Sequence, residues 1–361
     1  MEIIYLVRSR ASEEMEAYAP LAREQSRLGY EVRIYPWLRL NNLAGLFGPK
    51  PPAVLHLVGF PLLHLKGLIA LKSALSFTLV LEAPANQDPA WQKNLTARAT
   101  RRWLLPLLSQ GVNGFVARSR SERRWFEKEL GVKSSKILCL SPGIDAAHFQ
   151  FRPEGRKRFR ERLGLSPWET LCLPVGGLHS RAEVKEILWA GRSLFRDGRA
   201  WLAVAGGSPK VLQTLLENQA RKMGVLPRVK WLEEIPSADL PELYSAADLG
   251  IRLERDLAAG LAAMACGLPL APPADGVLAW WREEKPRFFL WRPPAAELGQ
   301  LVKRLLQEPA SRRELSERGR RFIESECDWP AQARRLCGWY REMAGAGAVE
   351  ETGETRERLA A

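Results

Sequence analysis

The sequence predicts an α/β protein of two units built on parallel sheets, and three observations carry that expectation. The chain has 361 residues, 46% of them hydrophobic, which is enough for two domains with cores of their own. It opens as strand, helix, strand: apolar Ile3–Val7, a helical pattern from Ser12 to Leu28 ended by Gly29, then Glu31–Tyr35. Further on, Tyr244–Leu270 reads as a helix end, a buried strand Leu249–Leu253, a turn at Glu254–Asp256, and an amphipathic helix from Leu257 to Cys266 closed by Gly267. That turn presents one acid, Glu254, above a helix N-terminus. In open α/β sheets ligands sit at the carboxyl ends of strands, and helix N-termini there favour phosphate.

Between these landmarks the elements follow in order. Val54–Val58 reads as a strand, Leu62–Ala74 as a helix and Phe77–Leu81 as a second buried strand. The polar loop Glu82–Pro89 leaves its carboxyl end. Residues 91–108 combine Trp91, Lys93, Arg98, Arg101, Arg102 and Trp103 with leucines, which fits a surface helix gripping anionic headgroups or an ordinary solvated one. Pro106 limits its length. Gly114–Ala117 is a strand, Ser121 a cap for the helix to Leu130, and Lys136–Leu140 a strand.

The second half begins with the basic stretch Arg152–Arg162. The strand Thr170–Val175 then runs into Gly176-Gly177 before a helix, a phosphate-cradle pattern because glycine admits close backbone approach; a plain turn is the alternative. Trp201–Gly206 is a strand leading into Gly206-Gly207-Ser208-Pro209, and Arg228–Leu232 leads to Glu234, Ile235 and Pro236. Leu270–Pro273 is a short strand, with helices over Ala296–Gln307 and Pro309–Glu317. Residues 345–361 are polar and expected to be disordered.

Composition narrows the classes. The formal charge is +13, and residues 1–150 hold 20 Lys and Arg against 12 Asp and Glu. Such a balance suits anionic ligands or surfaces. No interleaved aromatic reading motif or nucleic-acid module accompanies it, so no nucleic-acid partner is expected. The five cysteines form no C-x-x-C pair and read as small buried hydrophobes of a reducing compartment. The four histidines show no metal-ligand spacing, so no metal is expected. Neither a leader pattern nor an apolar run of about 20 residues is present, which points to a cytoplasmic protein.

Tyr244, Ala247, Asp248, Glu254, Met264, Ala265, Gly267 and Pro269 stand where the group 1 glycosyltransferases, carbohydrate-active family 4, carry their Tyr-x-x-Ala-Asp helix end, first glutamate and E-A-M-A-x-G-x-P helix. The chain resembles that family over nearly its whole length. Gly143, Asp145 and Phe149 match its interdomain linker, and Cys327–Pro330 its closing pattern. The resemblance implies the GT-B fold, two Rossmann-like domains with parallel sheets facing across a cleft. Residues 1–150 would form the acceptor side, with helix 331–344 packing back on it, and residues 151–330 the donor side.

The same resemblance implies a retaining transferase that moves a sugar from a nucleotide-diphospho-sugar to a lipid-linked or oligosaccharide acceptor in cell-envelope glycan synthesis. It works with no cofactor, the nucleotide sugar being a co-substrate. Glu254 would hydrogen-bond sugar hydroxyls, and Glu82 and Asp88 are candidates to face the acceptor, or are solvated loop carboxylates. Gly176, Gly177, Arg181 and Lys185 would meet the diphosphate, Gly206, Glu234 and Ile235 the nucleotide, and Asp256 and Leu257, at the Glu254 turn, would also bind the donor. Three of the family's charged positions hold Gly177, Ala182 and Ala262 instead, so a degenerate GT-B protein serving as a partner or scaffold is the alternative. Arg98, Arg101, Arg102 and Trp103 would hold the protein on the inner face of the cell membrane.

Overall fold

The computed structural model describes residues 1–7, 12–36, 52–59, 65–82, 111–118, 120–178, 180–198, 200–205, 209–252, 257–271, 300, 302–305 and 307–345. The chain divides into two compact units, Met1–Ser141 with the chain from Trp329 onward, and Pro142–Asp328.

The first unit is a six-stranded parallel sheet in the order β2-β1-β3-β4-β5-β6. Its strands are β1 (Glu2–Val7), β2 (Glu31–Pro36), β3 (Val54–Val58), β4 (Thr78–Glu82), β5 (Gly114–Ala117) and β6 (Ile137–Cys139). Interior strands of a parallel sheet are covered on both faces, hence the unbroken apolar runs; Ile3 to Val7 are all 0% exposed. Its described helices include α1 (Ser12–Arg27), α2 (Leu65–Leu75) and α3 (Arg120–Glu129). α3 begins at Arg120, which places Ser121 in its first turn, and Glu122 secures that start, its carboxylate accepting the Arg118 N–H at 2.6 Å.

The second unit is a five-stranded parallel sheet in the order β11-β10-β7-β8-β9. The strands are β7 (Thr170–Val175), β8 (Ala200–Val204), β9 (Val229–Trp231), β10 (Leu249–Arg252) and β11 (Leu270–Ala271). Around them lie α4 (Pro153–Arg162), α5 (Arg181–Arg196), α6 (Lys210–Lys222), α7 (Leu240–Ala246), α8 (Leu257–Ala265) and α9 (Pro309–Phe322). The basic stretch is thus a helix, α4, and two of its cations serve the fold. Arg156 and Arg160 pair with Asp248 at 2.6 and 3.0 Å, and Arg156 also donates to the last carbonyls of α7. At the far end of α8, Gly267 adopts φ +74° and closes the helix, as expected for a glycine in that place. After a π-turn at Ile323–Cys327 the last described helix, α10 (Trp329–Met343), packs on α1 within the first unit, where Leu336 and Tyr340 are fully buried.

Candidate active site

The order of the second sheet locates a crevice. From β7 the chain adds β8 and β9 on one side, then β10 and β11 on the other, so the growth of the sheet reverses between β7 and β10. Ligands of open α/β sheets bind at such a switch point, beyond the carboxyl ends of the strands. The register pairs Val175 with Arg252, so the two strands end level. Gly176-Gly177 leaves one of them, and residues 253–256 leave the other and lead into α8. Gly250 permits this close approach: a Cβ there would fall 2.4 Å from Leu270 Cδ2 and 2.9 Å from Val175 Cγ2.

Gly176 and Gly177 take φ values of +88° and +79°, a region costly for residues with a Cβ. Two such residues in succession turn the backbone sharply off the sheet, and Leu178, 0% exposed, anchors the turn in the core. A capping box then starts α5. The Ser180 N–H donates to Glu183 Oε2 at 2.8 Å, and the Glu183 N–H donates to Ser180 Oγ at 3.3 Å. This pair leaves the amides of Arg181 and Ala182, at the positive end of the helix, outside its own bonds. Glycine turn, helix N-terminus and the exposed Arg181 side chain together form an arrangement suited to an anion.

In the first unit the strand ends carry a different chemistry. Glu82 is the last residue of β4 and only 3% exposed, not part of a solvated loop. Arg118 donates to it from Nε at 2.7 Å and from Nη2 at 3.0 Å, and the Tyr18 hydroxyl donates at 2.5 Å. His56 Nε2 lies 3.4 Å away, and its Nδ1 meets the hydroxyl of Tyr340, which in turn meets Tyr5. Burial pushes the Glu82 carboxyl up, but the Arg118 charge and the hydrogen bonds from His56 and Arg118 outweigh it and hold the group at about 2. A carboxylate so stabilised is a poor base. It ties α1, β3, β4, the end of β5 and α10 together, where the sequence left a solvated loop carboxylate as one alternative.

Residues 155–322 match the model of the family described as Glycosyl transferases group 1. That stretch, just under half of the chain, is similar to the group 1 glycosyl transferases. Among curated relatives, a D-inositol 3-phosphate glycosyltransferase 2 of Catenulispora acidiphila is 27% identical over 45% of this chain and 40% of its own length. A GDP-mannose-dependent alpha-(1-6)-phosphatidylinositol monomannoside mannosyltransferase of Mycolicibacterium smegmatis is 31% identical over 44% of the chain and 43% of its own length. The chain thus spans about two fifths of these relatives. Among solved structures, a glycosyltransferase from Rickettsia africae superposes over 95% of this chain and 98% of its own, with a TM-score of 0.68 and 12% identity. Anabaena HepE in complex with UDP covers 95% and 100%, with a TM-score of 0.65 and 16% identity. These likenesses show the fold, two Rossmann-like units of the GT-B type.

Within residues 155–322 the structure brings Gly176, Gly177 and Arg181 to the switch point, with Lys185 one turn along α5 and exposed. Leu257 starts α8, the helix that follows β10. Glu234, exposed, and Ile235, half-buried, follow β9, at the sheet edge two strands from β7. Glu254, Asp256 and Gly206 lie outside the described residues, as do Asp88, Arg98, Arg101, Arg102 and Trp103. Sequence reasoning missed the capping box, although Ser180-Arg-Ala-Glu183 carries the S-x-x-E signature. It also missed the Glu82–Arg118 pair, for which no local signal exists.

Proposed function

We propose that this protein is a retaining glycosyltransferase that moves a sugar from a nucleotide-diphospho-sugar to a lipid-linked or oligosaccharide acceptor in cell-envelope glycan synthesis. One observation carries the reading: the left-handed Gly176-Gly177 turn and the amide end of α5 stand at the switch point, beside the strand that leads to Glu254. The leaving diphosphate would be stabilised there by amide dipoles and by Arg181, with Lys185 one turn on, and no cofactor takes part. Glu254 hydrogen-bonds the sugar hydroxyls. Support comes from relatives named as inositol phosphate and phosphatidylinositol monomannoside transferases and from a similar fold solved with UDP. The protein works in the cytoplasm, peripherally on the inner face of the cell membrane.

Incubation with a panel of nucleotide sugars and a pool of lipid-linked and oligosaccharide acceptors tests this by nucleotide diphosphate release. Release should stop in Glu254→Ala; release no greater than in that variant overturns the reading. A second reading, a degenerate GT-B protein acting as a partner, is favoured by alanine at positions 182 and 262, the latter 3% exposed. Calorimetry separates the two, since micromolar binding of a nucleotide sugar excludes a scaffold without a donor site.

A further inference from the structure

We infer that α5 is a lipid-facing helix whose outer face, bearing Trp189, Arg192 and Arg196, docks on an anionic bilayer surface. At about 100° per residue these positions fall within an arc of about 60° and run for roughly 10 Å. The inner side of the helix is core, with Val184, Ile187, Leu188 and Phe195 at 2% exposure or less. On the outer arc Arg196 is exposed, Trp189 is 58% exposed, and the half-buried Arg192 holds its guanidinium 5.7 Å over the Trp189 ring. Among the described residues none of these cations takes a carboxylate partner. The helix's acids fall off the arc, and Glu183 is tied to Ser180.

The basic surface continues past the end of α5. At Gly198 an added Cβ would lie 2.7 Å from Arg228 Nη2, and Arg228 and Lys230 stand over the Trp201 ring at 4.7 and 4.4 Å. Glu169 lies 3.9 Å from Arg228, but its carboxylate is taken by the Trp201 Nε1–H at 2.8 Å and the Ser166 N–H at 2.7 Å. A tryptophan amid long cations suits the headgroup layer: the ring rests at the interface and the hydrocarbon stems carry their charges out to the phosphates. No described helix is long and apolar enough to cross a membrane, so attachment by this face is superficial and screened by salt. The choice of a lipid surface rests on the transferase reading, yet vesicle binding requires no sugar transfer, so the two fail separately.

The test sediments the full chain with phosphatidylcholine vesicles and with vesicles that also contain phosphatidylglycerol. Each cation near an anionic surface contributes about fivefold in partition, so Arg196→Glu, which removes an attraction and adds a repulsion, should lower binding about 25-fold. Trp189→Ser should lower it about tenfold. Both side chains are exposed, and unchanged thermal melts will show the fold intact. Because the five native cysteines are buried, Trp189→Cys also accepts a polarity-sensitive dye, which should shift to the blue with anionic vesicles only. Absence of vesicle binding, equal binding to neutral vesicles, or wild-type binding in both variants overturns the inference. So does a dye that responds to single-stranded DNA and not to vesicles. Vesicle binding without any sugar transfer counts against the transferase reading alone.

Discussion

Replacing Glu82 by glutamine should destabilise the first unit by about 3 kcal/mol, the equivalent of lowering its carboxyl from 4.5 to about 2. The direct comparison agrees: removing one partner of a buried ion pair costs about 3–5 kcal/mol, because the other charge stays behind without compensation. Arg118 would be that charge, its side chain 18% exposed and shared between Glu82, Tyr18 and the Ser141 carbonyl. Since the folded carboxyl titrates below its ordinary value, the stabilisation is complete above about pH 4.5 and fades as pH falls toward 2. His56, held below its ordinary value of 6.5 by burial, adds an acid-side loss that begins nearer that pH. Hydrogen exchange at the β4 and β5 amides reads the first unit apart from the second. Glu82→Gln should weaken their protection and flatten the acid limb. Combined with Arg118→Met it should cost less than the sum of the single changes, a coupling of at least about 1 kcal/mol. A glutamine variant that loses less than about 0.5 kcal/mol, or that keeps the wild-type acid limb, would show that the pair does not hold the strand ends together.

In the second unit, Asp248→Ala should cost about 3 kcal/mol by urea titration, since it strands Arg156 and Arg160 and frees the Leu171 N–H, now 2.8 Å from the carboxylate. Gly177→Ala forces a Cβ into a φ of +79° and should lower stability by about 1–2 kcal/mol while removing nucleotide binding in calorimetry; unaltered binding would detach the turn from the donor site. Gly250→Ala overpacks the contact with Leu270 and Val175, and thermal melting should register about 1–3 kcal/mol. Burial pushes the Cys172 and Cys266 thiols up to about 12, so Ellman's reagent should find no fast-reacting thiol in the native protein and all five in urea.

Most of the architecture was legible because local patterns repeat the physics of the whole. Unbroken apolar runs at Ile3–Val7 and Thr170–Val175 mark strands covered on both faces, and glycines at 29 and 267 stop helices where only a left-handed residue fits. The glycine turn was legible for the same reason, since Gly176-Gly177 lies directly between a strand and a helix. Three things were decided only by tertiary structure. Glu82 reads as a loop acid in sequence, yet a guanidinium 36 residues away and the side chains of Tyr18 and His56 converge on it and fix its charge. The Arg152–Arg162 run reads only as a basic stretch, and it is the fold that turns Arg156 and Arg160 inward to Asp248, more than 80 residues on. Strand order was also beyond the sequence. Which strand lies beside β7 depends on how helices on both faces bury their apolar stripes at once, so the pairing of β10 with β7 that sets the ends of the two strands level is fixed by the packing of the whole unit.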